Sequence, residues 1–128
     1  MKFPIKTLLA ALLGAIGLNV SAQISDGIVK IGVLNDMSGL YADITGPGSV
    51  VAAKMAVEDY LKSSKSSLKV EIVSADHQNK ADIGSNIARQ WYDTDNVDMI
   101  IDVPTSSVAL AISQVSREKG KLHINTGA

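Results

Sequence analysis

Apolar positions in this chain follow two rhythms that alternate along it, and the alternation predicts the fold. Ile28-Val29-Lys30-Ile31-Gly32-Val33-Leu34 is β-branched and nearly all apolar. Such a run suits a strand covered on both faces and predicts the centre of a parallel sheet. Leu68 to Ser74 alternates apolar and polar residues, which marks a second, less enclosed strand. Val97 to Val103 predicts a third strand and Lys121 to Asn125 a fourth.

Between the strands a spacing of three and four takes over. Val50, Ala53, Val57 and Leu61 form one helical stripe, opening near Gly46-Pro47-Gly48-Ser49. Ala52, Ala53 and Ala56 are small enough to let that helix lie close to the sheet, while Lys54, Glu58 and Lys62 mark its solvated side. Ile83, Ile87, Ala88 and Trp91 give the buried side of a second helix. Val108, Ala111, Ile112 and Val115 give that of a third. Ser106 and Ser107 are placed to cap this third helix, and Arg117, Lys119 and Gly120 to end it. Strand and helix thus alternate three times before a last strand. The succession implies right-handed crossovers and an α/β fold, a parallel sheet with helices on both faces. It looks unfinished, because nothing covers the last strand.

The first residues belong to a different kind of segment. Lys2 and Lys6, the uncharged run Thr7 to Leu18, and Val20-Ser21-Ala22 have the layout of a signal peptide cleaved after Ala22. The run is shorter than the ~20 apolar residues of a membrane span. Residues 23–128 are then one incomplete domain. There are 12 basic and 13 acidic residues, with two of the lysines in the leader, so no basic surface suggests nucleic acid. There is no cysteine. Export therefore brings neither a disulfide nor a lipid anchor, and a soluble periplasmic protein is expected.

Parallel strands put the loops Asn35–Asp43, Asp76–Asn79, Pro104–Ser107 and Thr126–Ala128 on one edge of the sheet, where open α/β sheets bind ligands. Ser106 and Ser107 stand at a helix N-terminus, where free amides favour an anion, although simple capping is an equal reading. Asp36, His77 and Ser106 could be imagined as a hydrolase triad, but no G-x-S-x-G elbow surrounds any serine. A solvated or loop-bonding His77, a packed His123 and a core Trp91 are the plainer readings. No spaced cluster suggests a metal, and Gly46-x-Gly48 is a poor dinucleotide fingerprint, so no cofactor is expected.

Val29 to Leu34 followed by Met37-Ser38-Gly39, Gly46 to Asp59 ahead of Tyr60, Asp95 to Ile101 with Thr105-Ser106-Ser107, and Gly120 to Ala128 resemble an ordered series of motifs. The series is similar to the opening of type I periplasmic solute-binding proteins, in the leucine/isoleucine/valine-binding branch of ABC importers. The resemblance implies the first lobe of a two-lobed, monomeric, non-enzymatic protein that closes on a small amino-acid-like, amide or organic-acid ligand and delivers it to a membrane permease. It also implies that Ser106 and the small residues Gly127 and Ala128 grip the ligand carboxylate; Ser107 and Thr105, on the same loop as Ser106, are further candidate site residues. Some relatives join the loops after strands two and three by a disulfide, which this chain lacks, with Thr105 at one of the positions. Tyr41 is placed to pack over the ligand body or to be a plain surface tyrosine. A ligand-sensing receptor of the same fold is the alternative, and a hydrolase a more distant one.

Overall fold

A computed structural model describes Ile24 and residues 26–128. The leader expected over residues 1–22 lies outside the described residues. The elements are β1 (Ile28–Asn35), α1 (Gly46–Ser64), β2 (Lys69–Asp76), α2 (Ala81–Asp93), β3 (Met99–Asp102), α3 (Ser106–Lys119) and β4 (Leu122–Asn125). All strand pairs are parallel, in the order β2-β1-β3-β4. β1 is therefore interior, as its apolar run predicts. It pairs with β2 along its whole length, but with β3 only from Ile31 to Val33. β2 lies at an edge, where exposed Lys69 and Glu71 cost nothing.

Side-chain alternation gives the sheet two unequal faces. On one, Leu34, Val73, Ala75 and Ile100 pack against Ala88, Trp91, Val108, Ile112 and Val115 of α2 and α3. Gly32 makes this packing possible, because a Cβ there would overlap the six-membered ring of Trp91. On the other face, Val29, Ile31, Val70, Ile72, Met99 and Ile101 meet α1 across an apolar groove of about 360 Å³. The α1 stripe predicted from spacing, Val50, Ala53, Val57 and Leu61, does face inward, but each of these is only half-buried. Ala52 is exposed rather than set against the sheet, while Ala56 lines the groove from a largely exposed position. β4 continues the same face, with Leu122 opposite Met99 and Ile124 opposite Ile101, and both are exposed.

The ends of α3 correct one expectation. Its N-cap is Thr105, not a serine, and no side chain caps it. Ser106 is the first helical residue, so its hydroxyl is free for other work. The C-terminus is as predicted: Gly120 takes the left-handed conformation with φ of 62° and donates to Arg117 O.

Candidate functional site

The carboxyl ends of the strands carry the site, and a buried polar network sets its shape. Asn35, fully buried at the end of β1, donates through Nδ2 to Asp102 Oδ2 at 2.7 Å and to Thr45 O at 3.1 Å. Its Oδ1 accepts the N–H of Val103 at 3.1 Å. Asn125, at the end of β4, donates to Val103 O at 2.6 Å. Val103 thus has both main-chain polar groups held by asparagine side chains from strands on either side of β3. This clamp stabilises an uncommon backbone, since Asp102 and Val103 have φ of 77° and 54°. A β-branched residue with positive φ persists only where its surroundings over-determine it. The bend ends β3 at Asp102 and aims the chain into α3.

Asp102 is the second hub. Besides Asn35 it accepts hydrogen bonds from the hydroxyls of Thr126 and Ser49, linking β3 to the segment after β4 and to the first turn of α1. Burial pushes its carboxyl up, but the bonds from Ser49, Thr126 and Asn35 outweigh that and hold it below the usual carboxylate range.

Above the network lies a cleft of about 570 Å³, lined by Tyr41, Ile44, Thr45, Ser49, Asp102, Pro104, Thr105, Ser106, Thr126 and Gly127. The structure brings together four of the sequence-predicted residues, Tyr41, Thr105, Ser106 and Gly127. Ser107, in the first turn of α3, does not line the cleft. Ala128 lines a neighbouring depression with Ser106, Ala109, Leu110, Ser113 and Asn125. The amides of Gly127 and Ala128 both donate to Asn125 Oδ1, at 3.1 and 2.8 Å, so they are engaged within their own loop rather than pointing freely to a ligand. Thr105 Oγ1 is buried and finds no partner among the described residues. The first-turn amides of α3 lack i−4 carbonyls, as at any helix start, and Thr105 does not cap them with its side chain. Asn35, Asp102, Ser49 and Thr126 were not singled out from sequence. The available signal was a polar residue ending an otherwise apolar strand, at Asn35 and at Asp102.

The loops beneath the cleft are tied down by carboxylates. Asp36, fully buried, accepts from the amides of Gly39 at 2.8 Å and Tyr41 at 3.1 Å, which holds the loop that carries Tyr41. Asp76 accepts from Ser38 Oγ at 2.6 Å and from the amides of Met37 and Gln78, which ties the loops after β1 and β2 together. Burial raises its carboxyl, but the bonds from Ser38, Met37 and Gln78 together outweigh that and hold it below its ordinary range.

His77 is not solvated, contrary to one of its expected readings. It is fully buried, with Nδ1 accepting from the amide of Asn79 at 3.0 Å, so its proton sits on Nε2. Burial pushes the imidazole down, against the pull of Asp36 and Asp76. No hydrogen bond among the described residues joins it to Ser106, which stands on the cleft wall. Asp36 spends its carboxylate on main-chain amides, so the imagined triad is not assembled. His123 packs against α3 with Nδ1 at 2.9 Å from Ser113 Oγ. No group of three or more potential metal ligands occurs among the described residues.

Comparison with known proteins places this architecture. A family model for periplasmic binding proteins matches residues 28–128. A periplasmic binding protein from Burkholderia mallei is 47% identical, with a TM-score of 0.73 over 80% of this chain and 27% of its own. A branched-chain amino acid ABC transporter periplasmic ligand-binding protein from Burkholderia xenovorans is 46% identical, with a TM-score of 0.71 over 78% and 26%. The branched-chain amino acid transporter substrate-binding protein of Streptococcus pneumoniae, in complex with isoleucine, is 19% identical with a TM-score of 0.69 over 79% and 29%, a likeness of fold alone. No curated protein matches significantly. The chain belongs to the periplasmic binding protein family, as its motifs suggest, and it spans about a quarter of the length of the relatives it matches.

Proposed function

We propose that residues 23–128 are the N-terminal part of the first lobe of an extracytoplasmic solute-binding protein that serves an ABC importer. The protein is exported with its leader removed after Ala22, so mass spectrometry of the exported form should begin at Gln23. The cleft at the carboxyl edge of the sheet receives a small amino-acid-like, amide or organic-acid ligand. A second lobe closes over it, and the loaded monomer docks on a membrane permease.

One observation carries the reading. Tyr41, Thr105, Ser106 and Gly127, from three different loops, line one cleft at the first turn of α3. There the amide of Ser106 and the dipole of a 14-residue helix favour an anionic group. The buried hydroxyl of Thr105, without a protein partner, adds a donor, and Gly127 keeps the wall low enough for a ligand to approach. That the 46% identical Burkholderia xenovorans relative is a branched-chain amino acid ABC transporter ligand-binding protein supports the amino-acid-like class. The test is calorimetric titration of the complete two-lobed protein with aliphatic L-amino acids, their amides and simple aromatic acids. Micromolar, one-to-one binding by one of these classes is expected. Absence of binding by all of them, or turnover of an amide or ester, would remove the proposal.

A further inference from the structure

The one formally charged side chain on the described wall of the cleft is Asp102; its other lining residues are hydroxylic, apolar or glycine. Every partner of the Asp102 carboxylate is neutral: the Asn35 amide, the Thr126 hydroxyl and the Ser49 hydroxyl. None of the ion pairs among the described residues includes it. Three neutral donors orient a carboxylate without cancelling its charge, and about four lone-pair sites leave it one for a further donor. The wall therefore combines a helix start that accommodates one anionic group with a fixed negative charge a few residues away.

We propose that Asp102 is a specificity-determining residue that acts as the charge filter of the cleft. It accepts a neutral or cationic hydrogen-bond donor on the ligand and rejects a second anionic group. The ligand class narrows to monocarboxylates, zwitterions and amides that carry a donor, and excludes dicarboxylates and phosphate esters. This inference rests on the solute-binding reading above. It concerns which solutes enter, not whether one does.

The test uses the complete two-lobed protein and probe pairs that differ by amide for carboxylate: L-glutamine with L-glutamate, succinamate with succinate, and 4-carbamoylbenzoate with terephthalate. In the wild type, the amide member of any pair that binds should be held at least about 10-fold more tightly than the acid member. Asp102→Asn keeps the shape and removes the charge. It should shrink that ratio by about 10-fold, through tighter binding of the acid. Equal binding of both members by the wild type overturns the filter whether or not the variant folds. So does a folded variant that weakens both members equally, the result of a purely structural role. A wild type that binds neither member of any pair overturns the filter for these chemistries and, alone among the outcomes, also counts against the solute-binding reading.

Discussion

Asn35 and Val103, separated by 68 positions in the chain, are joined by a 3.1 Å hydrogen bond from the Val103 amide to the Asn35 side chain. That bond helps to hold Val103 at a φ of 54°, a conformation its branched side chain disfavours. Its consequence is functional geometry, because the direction of the chain leaving Val103 decides where α3 begins and which way its first turn faces.

Asn35→Ala should therefore destabilise the protein by about 1–3 kcal/mol, since it leaves the buried Val103 amide and part of the Asp102 carboxylate without partners. Urea denaturation of wild type and variant measures this. An unchanged midpoint would mean that Asn125 alone suffices to hold the bend.

Ser106→Ala separates binding from folding unusually well, because the N-cap of α3 is Thr105 and not Ser106. Stability should stay within about 0.5 kcal/mol of wild type. Affinity of the complete protein for its best probe should fall by roughly 10- to 150-fold, the equivalent of about 1.5–3 kcal/mol for a hydrogen bond to a charged group. Calorimetry together with a thermal melt checks both halves. Unchanged affinity would take the Ser106 hydroxyl out of the site.

Mild acid should weaken the fold through its buried histidines. His77 is buried with its pKa lowered from 6.5, so below about pH 6.5 the unfolded chain binds a proton that the folded one resists. Stability from this group is complete above that pH and declines as the pH falls toward the folded value. His123 acts in the same direction. The lowered carboxyls of Asp76 and Asp102 contribute stability that is lost only below their ordinary value of 3.8. Denaturation midpoints followed from neutral pH to about pH 4.5 should fall in the wild type and fall less steeply in His77→Asn, where only the contribution of His123 remains. Parallel slopes would show that His77 protonates freely in place.

Gly32→Ala should cost about 1–3 kcal/mol by overpacking, because the new methyl would overlap the Trp91 ring. Trp91 is the single tryptophan of the chain, so its fluorescence reports the displacement directly. A variant with wild-type stability and an unshifted emission spectrum would mean that the ring has room to move.

Residues 23–128 expressed alone should self-associate. Leu122 and Ile124 are exposed at the β4 edge and extend the half-covered face of Ile31, Met99 and Ile101. An unpaired edge beside apolar surface invites pairing with another chain. Sedimentation velocity over a concentration series should show growing species, reduced by Ile124→Lys. A monomer at every concentration would show that α1 covers the face well enough.

Periodicity is local information, and it sufficed for what local forces dictate. The strands and helices, the interior place of β1, the inward stripe of α1, the glycine stop of α3 and the edge that gathers the loops all follow from spacings within a few residues, combined with the rule that parallel strands share their ends. Tyr41, Thr105, Ser106 and Gly127 could be nominated because each sits on such a loop and, for Ser106 and Gly127, because the motifs around them resemble those of periplasmic binding proteins. Asn35, Asp102 and Asn125 could not, since their importance lies in bonds to one another's strands, 67 positions apart for Asn35 and Asp102. The same holds for the cap of α3, which passed to Thr105, and for His77. Whether a polar side chain meets water, a buried partner or a ligand depends on what the sheet order sets beside it, and that neighbourhood exists only once the chain has folded.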